Sequence, residues 1–459
     1  MASLPIPRRL ATVVLSFTTG LLSCHSLSAQ TNTPRVVGYY ADWNKGSYSH
    51  QVVQYRNITH VAHAFLIPNA DGSLGGSSGF AYPDLVQTAH QAGVQVVVAL
   101  GGWGQSAGFS PMAADTAARR RFVQNLLDFC TANSYDGVDL DWEYPASAAD
   151  SANLTSLVRE LRAAFSTVNR PLSISLAVPS TGWSGKWFNV AGMKDWVDWF
   201  GIMTYDYYGS WTAKAGPNSA LYGNFSTNTE GWVDYSFSYY TATRGIPAGH
   251  LLIGLPFYGW VFNAPTMYGA STGATQKTYA TIATFPGWTP FWDGEGMVPY
   301  MVNASGTQTV SYDDTVSLRL KCEYARAKST GGVMIWALGQ DRIAGEQPLL
   351  QAVGAGMGLP TSVPPLALEG SPSTFMLRQN YPNPFNPTSV FTYQVPVASD
   401  VRLAVYDLLG REVAVLVSER KSPGSYLVKF DGTGLATGPY LYRLSAGHFV
   451  QTRVMLLLR

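Results

Sequence analysis

The sequence predicts an α/β chain whose larger part is a (β/α)8 (TIM) barrel and whose smaller, C-terminal part is an all-β sandwich. Two observations predict this fold class. From residue 35 to about 359, short β-rich apolar runs alternate with longer helical patterns, which is typical of βα units around a parallel sheet. After residue 375, only short strand-like runs appear, and turns that carry Gly, Pro or Asp separate them.

Eight strand-like runs precede residue 359, and eight is the number that closes a (β/α)8 barrel. They lie at 36–40, 59–66, 95–100, 137–143, 172–178, 199–204, 251–256 and 332–336. Helical patterns at 115–131, 151–168 and 315–329 stand between them. The last two runs are far apart, and 262–311 is rich in Gly, Thr and aromatic residues. We therefore expect a small insertion before the last strand, beside the barrel mouth, as a lid or cleft wall.

The first 29 residues have the features of a secretory signal peptide. Arg8 and Arg9 precede a mostly apolar run at 10–22, and Ser28 and Ala29 offer small side chains for cleavage. The segment that ends at Cys24 also resembles a bacterial lipobox, so lipidation of that cysteine stays open. The predicted organisation is a signal peptide at 1–29, a barrel at 30–359, a proline-bearing linker at 360–375 and a β-sandwich at 376–459.

Composition excludes several classes of partner. A net charge of +1 with 13% charged residues lacks the basic excess that nucleic acids and anionic membranes require. No later stretch approaches the roughly 20 apolar residues of a transmembrane helix. Aromatic residues reach 13%, which suits large cores and the binding of an uncharged ligand equally well. Beyond Cys24 only Cys130 and Cys322 remain, and we expect two buried free thiols rather than a disulfide.

A row of carboxylates on the fourth predicted strand is the strongest chemical signal. Residues 136–143 read DGVDLDWE, and because strand side chains alternate, Asp139, Asp141 and Glu143 share one face while the residues between them are apolar. The apolar face suits contact with the helices, so the acids point into the barrel. Buried acids are costly without partners, and Glu143 falls where the strand should end at the catalytic face. The row is therefore assigned to function.

Acids this close cannot all ionise, so we expect one proton to be shared along Asp139, Asp141 and Glu143. Sharing of this kind keeps Glu143 protonated near neutral pH. A protonated glutamic acid at a barrel mouth suits the donation of a proton to a leaving oxygen, which is the general-acid half of glycoside cleavage.

The segment DGVDLDWE resembles the DxxDxDxE signature of family 18 glycoside hydrolases, the chitinases and their relatives. The segment ALGGW at 99–103 is similar to the family's SxGG segment, with Ala99 in place of the serine that supports the aspartates. We expect a water or another hydroxyl, such as that of Ser175, to replace it. The segment at 311–314 and the tryptophan Trp336 at the end of the eighth strand also resemble the family pattern.

The resemblance also implies residue roles. Tyr205 and Asp206, in the MTYD segment at 203–206, correspond to the family residues that hold the substrate's acetamido group, and Trp336 corresponds to the floor of the −1 sugar site. Glu143, Asp141, Asp139 and Tyr205 are the predicted catalytic residues. The predicted substrate-binding residues are Asp206, Trp336, Met203, Tyr39, Trp103 and Asp136.

The mechanism that the resemblance implies is substrate-assisted: the N-acetyl oxygen attacks its own anomeric carbon, and the configuration is retained. Glu143 would protonate the glycosidic oxygen and later activate water, while Asp141 would orient the acetamido N–H. No His/Cys cluster has metal-ligand spacing, so we expect no metal and no cofactor. The expected substrate is chitin or an N-acetylglucosamine oligosaccharide, and we expect a monomer.

Two alternatives stay open at this point. An endo-β-N-acetylglucosaminidase would act on glycoprotein glycans or peptidoglycan with the same residues. A chitinase-like lectin would bind sugar without cleaving it, but such proteins typically lack the acid that Glu143 provides here.

The C-terminal segments at 380–388 and 405–413 resemble the sorting domains of proteins exported by the type IX system of Bacteroidetes-like bacteria. This resemblance implies a protein that is secreted or held at the cell surface, with the type IX machinery as a partner. The alternative is a carbohydrate-binding module. Because no Trp follows Trp336, and carbohydrate platforms usually need flat aromatic side chains, sorting is the favoured interpretation.

Overall fold

The computed structural model describes residues 34–76, 78–359, 374–380, 383 and 385–458. The predicted signal peptide at 1–29, with Cys24, lies outside the described residues, as do positions 360–373 of the predicted linker.

The predicted (β/α)8 barrel is confirmed. Its eight parallel strands form a closed ring, because the first strand pairs with both the second and the eighth. In chain order the strands are Arg35–Ala41, His60–Pro68, Gln95–Gly101, Gly137–Asp141, Ser173–Pro179, Trp199–Met203, Leu251–Pro256 and Gly332–Trp336. Their apolar, β-branched sequences are buried on both faces, as expected for parallel strands covered by helices.

Alternate residues of each strand contribute to two separate cores. On the first strand, Val36 and Tyr40 pack in the core between strands and helices, whereas Val37 and Tyr39 pack in the core inside the barrel. The inner core closes the barrel below its mouth, so chemistry is confined to the ends of the strands.

The helices that cover the barrel begin with side-chain caps at several positions. Asp115 accepts the Ala118 N–H, Ser147 accepts the Asp150 N–H, and Asp314 forms a capping box with Ser317. The α-helices are Pro83–Gln91, Phe109–Ala114, Thr116–Ala132, Ala148–Phe165, Gly182–Gly185, Val190–Met193, Val233–Ser238, Tyr279–Ile282, Thr315–Ala327 and Pro348–Gly356. Cys130 and Cys322 are buried free thiols, as predicted. None of the described helices is long and apolar enough to cross a membrane.

An antiparallel five-stranded sheet stands between the seventh and eighth barrel strands, and we name it the insertion sheet. In spatial order its strands are Ala274–Thr278, Tyr258–Phe262, Thr309–Ser311, Val298–Val302 and Thr289–Asp293. The sheet begins at Tyr258, directly after the seventh barrel strand, and so before residue 262 where the sequence pattern changes. The strand Tyr258–Phe262, which is the first of the sheet in chain order, therefore lies at the barrel mouth.

The C-terminal part forms two antiparallel sheets around a core of its own, which confirms the predicted all-β fold. One sheet has three strands, in the spatial order Met376–Leu377, Thr388–Val395 and Gly424–Asp431. The other has four, in the spatial order Glu412–Lys421, Ser399–Tyr406, Gly438–Ala446 and Phe449–Leu457.

Candidate active site

The fourth barrel strand, Gly137–Asp141, carries the acidic row to the carboxyl end of the barrel. Asp139 and Asp141 lie within the strand and are only 3% and 4% exposed, whereas Glu143 follows the strand and is partly buried. The intervening apolar residues pack in the outer core against the helices. The alternation read from the sequence is therefore present, although the strand itself stops before Glu143.

Asp139 is the deepest acid of the row and has two hydroxyl partners. Tyr39 Oη donates to its Oδ2 at 2.7 Å, and Ser175 Oγ donates to its Oδ1 at 2.6 Å. Ala99 and Ser175 are the register neighbours of Asp139 on the two adjacent strands, so the hydroxyl missing on one side is supplied on the other. The predicted replacement by Ser175 is thus confirmed. Burial raises the pKa of Asp139, and these two hydrogen bonds oppose that rise.

Asp141 differs from Asp139 in having an unused acceptor. Within the described part of the chain, its Oδ1 is buried and has no hydrogen-bond partner. Burial raises the pKa of Asp141 well above its ordinary value, and the adjacent carboxyl groups of Glu143 and Asp139 raise it further. A buried carboxyl oxygen in this state is available to a ligand that brings a donor.

Glu143 is held at the mouth through its backbone. Its N–H donates to Ser106 Oγ at 3.0 Å, and the Ser106 hydroxyl donates in turn to the Asp141 carbonyl at 3.2 Å. Burial raises the pKa of Glu143 to about 7, a hydrogen bond from the Tyr144 hydroxyl lowers it, and the charge of Asp206 raises it. The group is therefore poised between acid and base near neutral pH, as general acid–base catalysis requires.

The sixth barrel strand delivers Met203, Tyr205 and Asp206 to the same end. Met203 packs against the inner core, and Tyr205 is buried with its pKa raised by burial and by the charges of Asp141, Asp206 and Glu143. Asp206 Oδ1 accepts from Trp260 Nε1 of the insertion sheet at 2.8 Å. Burial also raises the pKa of Asp206.

Aromatic rings form one side of the mouth. Trp336, at the end of the eighth strand, stacks on Phe65 with ring centroids 5.7 Å apart, and it lies 5.5 Å from Tyr39 and 6.5 Å from Trp43. Trp43 is 60% exposed and Trp103, after the third strand, is 79% exposed. Flat, exposed rings beside buried polar groups suit the binding of a sugar chain.

Asp136 does not belong to this site, and the prediction that it binds substrate is corrected. It precedes the fourth strand, at the amino-terminal end of the barrel, where it accepts from His90 Nε2 and the Val96 N–H, both at 2.7 Å. Arg170 Nη1 lies 3.4 Å from its other oxygen. These contacts join the helix Pro83–Gln91 and the segment before the fifth barrel strand to the strand ends, so the first acid of the DGVDLDWE segment has a structural role.

The sequence reasoning missed several residues that shape the mouth. Ser106 and Tyr144 contact Glu143, Phe65 stacks on Trp336, and Tyr258 bonds the Asp206 carboxylate. Tyr144 could have been predicted from the sequence, because it directly follows Glu143. Ser106 lies in an irregular loop, and no pattern in the sequence marks it.

Comparison with known proteins decides the family. Residues 35–341 match the sequence model of the glycosyl hydrolases family 18, which spans every barrel strand. The chain belongs to glycosyl hydrolase family 18. In this hydrolase, residues on or directly after six barrel strands, the first, second, third, fourth, sixth and eighth, contribute to one mouth.

Two curated relatives carry chitinase names. The probable endochitinase of Caenorhabditis elegans is 32% identical over 275 residues, 54% of this chain and 44% of the relative. Chitinase A1 of Niallia circulans is 30% identical over 311 residues, 60% of this chain and 44% of the relative. The hydrolase thus spans less than half the length of each.

A solved structure, that of a family 18 N-acetylglucosaminidase from Paenibacillus barengoltzii, covers 70% of this chain and 99% of its own. It has a TM-score of 0.64 and 26% identity with this hydrolase. Residues 379–457 match the secretion system C-terminal sorting domain. The hydrolase is therefore directed to the cell exterior or the cell surface, as predicted.

Proposed function

We propose that this family 18 hydrolase is a chitinase that cleaves β-1,4 links between N-acetylglucosamine units with retention of configuration. The observation that carries the proposal is Asp141 Oδ1, which has no partner among the described residues and lies beside Glu143, whose pKa burial raises to about 7. Asp141 is proposed to turn so that this oxygen accepts an amide N–H of the substrate, while a protonated Glu143 donates to the leaving oxygen. The names of the two curated relatives support chitin as the polymer.

In the proposed first step, Glu143 gives its proton to the glycosidic oxygen while the substrate's own acetamido oxygen attacks the anomeric carbon. The C–O bond to the leaving sugar breaks, and an oxazolinium ion forms. Asp141 accepts the acetamido N–H and stabilises the positive charge that develops there. Asp139, whose pKa burial raises, takes up the proton that Asp141 gives up, while Tyr39 and Ser175 hold its carboxyl group in place.

In the second step the ionised Glu143 removes a proton from water, and the water oxygen attacks the anomeric carbon. The bond between this carbon and the acetamido oxygen breaks, which opens the oxazolinium ring. The product keeps the original configuration and Glu143 regains its proton. Tyr205 and Asp206 hold the acetamido group during both steps, and Trp336 is the floor beneath the sugar. Met203, Tyr39 and Trp103 complete the proposed binding surface, and the enzyme acts as a monomer.

The aromatic mouth favours a long uniform sugar chain over a branched glycan. Trp336, Trp43 and Phe65 form a continuous cluster, and Trp103 presents a further exposed ring. Successive rings of one repeating polymer stack well on such a surface. For export, the sorting domain is proposed to engage the type IX machinery, and the predicted domain bounds at 359 and 376 separate the two functions.

The test is mass spectrometry of the products formed from an N-acetylglucosamine hexamer. Short oligomers from the wild type and an intact hexamer with Glu143→Gln are expected. An intact hexamer with both proteins contradicts the proposal. Retained hexamer binding would then indicate a lectin, and release of glycans from a glycoprotein would indicate an endo-β-N-acetylglucosaminidase.

A further inference from the structure

The backbone that carries Tyr205 and Asp206 is held in an unusual conformation. Asp206 has a φ of +57°, in the left-handed region that residues other than glycine rarely adopt. Such a conformation persists only where the surrounding structure determines it. The two side chains that flank the acidic row therefore depend on whatever holds this bend.

Two adjacent residues, Asn218 and Ser219, hold the bend by three hydrogen bonds. The Asp206 N–H donates to Asn218 Oδ1 at 3.0 Å, and the Tyr207 N–H donates to the Asn218 carbonyl at 3.2 Å. Ser219 Oγ donates to the Thr204 carbonyl at 2.6 Å. The bonds fall on both sides of Tyr205, so they fix the direction of its side chain as well as that of Asp206.

Asn218 is itself anchored to the insertion sheet. It is fully buried, its N–H donates to Ser311 Oγ at 2.7 Å, and its Nδ2 donates to the Tyr258 carbonyl at 3.1 Å. The same sheet supplies Trp260 and Tyr258, which bond the Asp206 carboxylate. One side chain thus sets the end of the sixth strand against the sheet that completes the site.

We propose that Asn218 is a positioning residue of the hydrolysis, which acts by fixing Tyr205 and Asp206 relative to Glu143. The inference rests on the proposed function, because Tyr205 and Asp206 matter to the rate only if they hold the reacting sugar. Misplacement of such groups by about 1 Å can cost about 100-fold in rate. A merely structural Asn218 would contribute to stability and leave the rate of the folded enzyme unchanged.

Asn57 provides a matched control at the other end of the barrel. It is also fully buried, and its Nδ2 donates to Gln54 Oε1 at 3.0 Å. It lies in the segment that precedes the second barrel strand, away from the mouth. Asn57→Ala removes a buried amide of the same size without touching the site.

The first experiment measures kcat, KM and Tm on an N-acetylglucosamine hexamer for the wild type, Asn218→Ala and Asn57→Ala. Both variants are expected to lower Tm. Only Asn218→Ala is expected to lower kcat/KM, by about 100-fold. Equal kcat/KM for the two variants would overturn the proposal. A wild type that leaves the hexamer intact would instead overturn the proposed function, and this inference with it.

A second variant, Asn218→Asp, tests the hydrogen bonds even if Asn218→Ala does not fold. A protonated aspartic acid reproduces both side-chain hydrogen bonds of Asn218. Its carbonyl oxygen accepts the Asp206 N–H, and its hydroxyl donates to the Tyr258 carbonyl. Burial raises the pKa of such a carboxyl group. We expect near-wild-type kcat/KM in acid and a loss, as pH rises, that is steeper than in the wild type. A pH profile parallel to that of the wild type would contradict the positioning role.

Discussion

Two groups of buried acids in the same barrel have opposite surroundings. Asp313 is fully buried, but Lys321 Nζ donates to its two oxygens at 2.7 and 2.8 Å, and Ser317 Oγ donates to Oδ1 at 2.7 Å. Asp141 is as deeply buried, and one of its oxygens has no partner among the described residues. Its closest charged neighbours are other carboxyl groups.

The difference shows that a buried acid with a cation partner contributes to stability, whereas a buried acid without one is suited to chemistry. The desolvation of Asp313 is offset by an ion pair that burial strengthens, although burial also lowers the pKa of Lys321. The desolvation of Asp141 is not offset, so burial favours its protonated form, and one of its oxygens has no donor among the described residues. Residues that cost stability without a structural return are expected at functional sites.

The largest expected effect is on activity at the row. Glu143→Gln removes the group proposed to protonate the glycosidic oxygen and to activate water, and kcat is expected to fall by about 10²–10⁴-fold. Stability should not fall, because the substitution replaces a carboxyl group whose ionisation burial opposes with a neutral amide. The measurement is the initial rate on an N-acetylglucosamine hexamer, together with Tm.

Glu160→Gln is the control for Glu143→Gln, since Glu160 is a partly buried glutamate that bonds Arg119 on the outer helices. Its rate is expected to equal that of the wild type. An active Glu143→Gln enzyme would contradict the assignment of the row to catalysis.

The second effect is on stability at the ion pair. Asp313→Asn removes the carboxylate that bonds the buried Lys321 ammonium, and the free energy of unfolding is expected to fall by about 3–5 kcal/mol. Asp141→Asn is expected to leave the free energy of unfolding unchanged or higher, since it removes a buried carboxyl group one of whose oxygens has no partner among the described residues. Urea unfolding of the two variants gives the comparison directly.

Asp313→Asn combined with Lys321→Met should recover most of the lost stability, because the unpaired charge is then gone. Equal destabilisation by Asp141→Asn and Asp313→Asn would break the distinction between the two groups of acids.

The third effect is the pH dependence of stability and rate that Glu143 produces. The pKa of Glu143 is raised from its ordinary 4.5 to about 7, so the folded state binds more protons than the unfolded state between these values. The contribution of Glu143 to stability is therefore lost as pH rises from about 4.5 to about 7. The acid form that starts the reaction is lost above pH 7, so kcat/KM should fall on the alkaline side.

Scans of Tm against pH separate Glu143 from the rest of the chain. The Tm advantage of Glu143→Gln over the wild type should be absent below pH 4.5 and grow to its full value above pH 7. A constant difference across this range would show that the pKa of Glu143 is not raised in the folded state.

The sequence was sufficient for the barrel because its strands are continuous apolar runs that parallel packing buries on both faces. It was sufficient to place Asp139, Asp141 and Glu143 on one face of the fourth strand, because side chains on a strand alternate. This rule needs no tertiary information. Sequence reasoning failed for Asp136, because that residue was assigned to the substrate site along with the rest of the acidic segment, although it lies before the predicted run at 137–143 and so at the opposite end of the strand from Glu143. Asn218 and Ser106 could not be predicted, since each lies in an irregular loop and its partners are distant in sequence.

The smallest effect concerns the hydroxyl that supports Asp139. Ser175→Ala removes a 2.6 Å hydrogen bond, and a bond to an ionisable group is worth about 1.5–3 kcal/mol, so kcat/KM should fall at least about tenfold. Ala99 is the neighbour of Asp139 on the opposite strand, so Ser175→Ala with Ala99→Ser moves the hydroxyl to the other side. Recovery of kcat/KM in the double variant would show that the row needs a donor to Asp139 and not a particular strand. Failure to recover would mean that Tyr39 and Ser175 must bond the two oxygens of Asp139 from their present directions, which makes the row more demanding in geometry than the Asp313 ion pair.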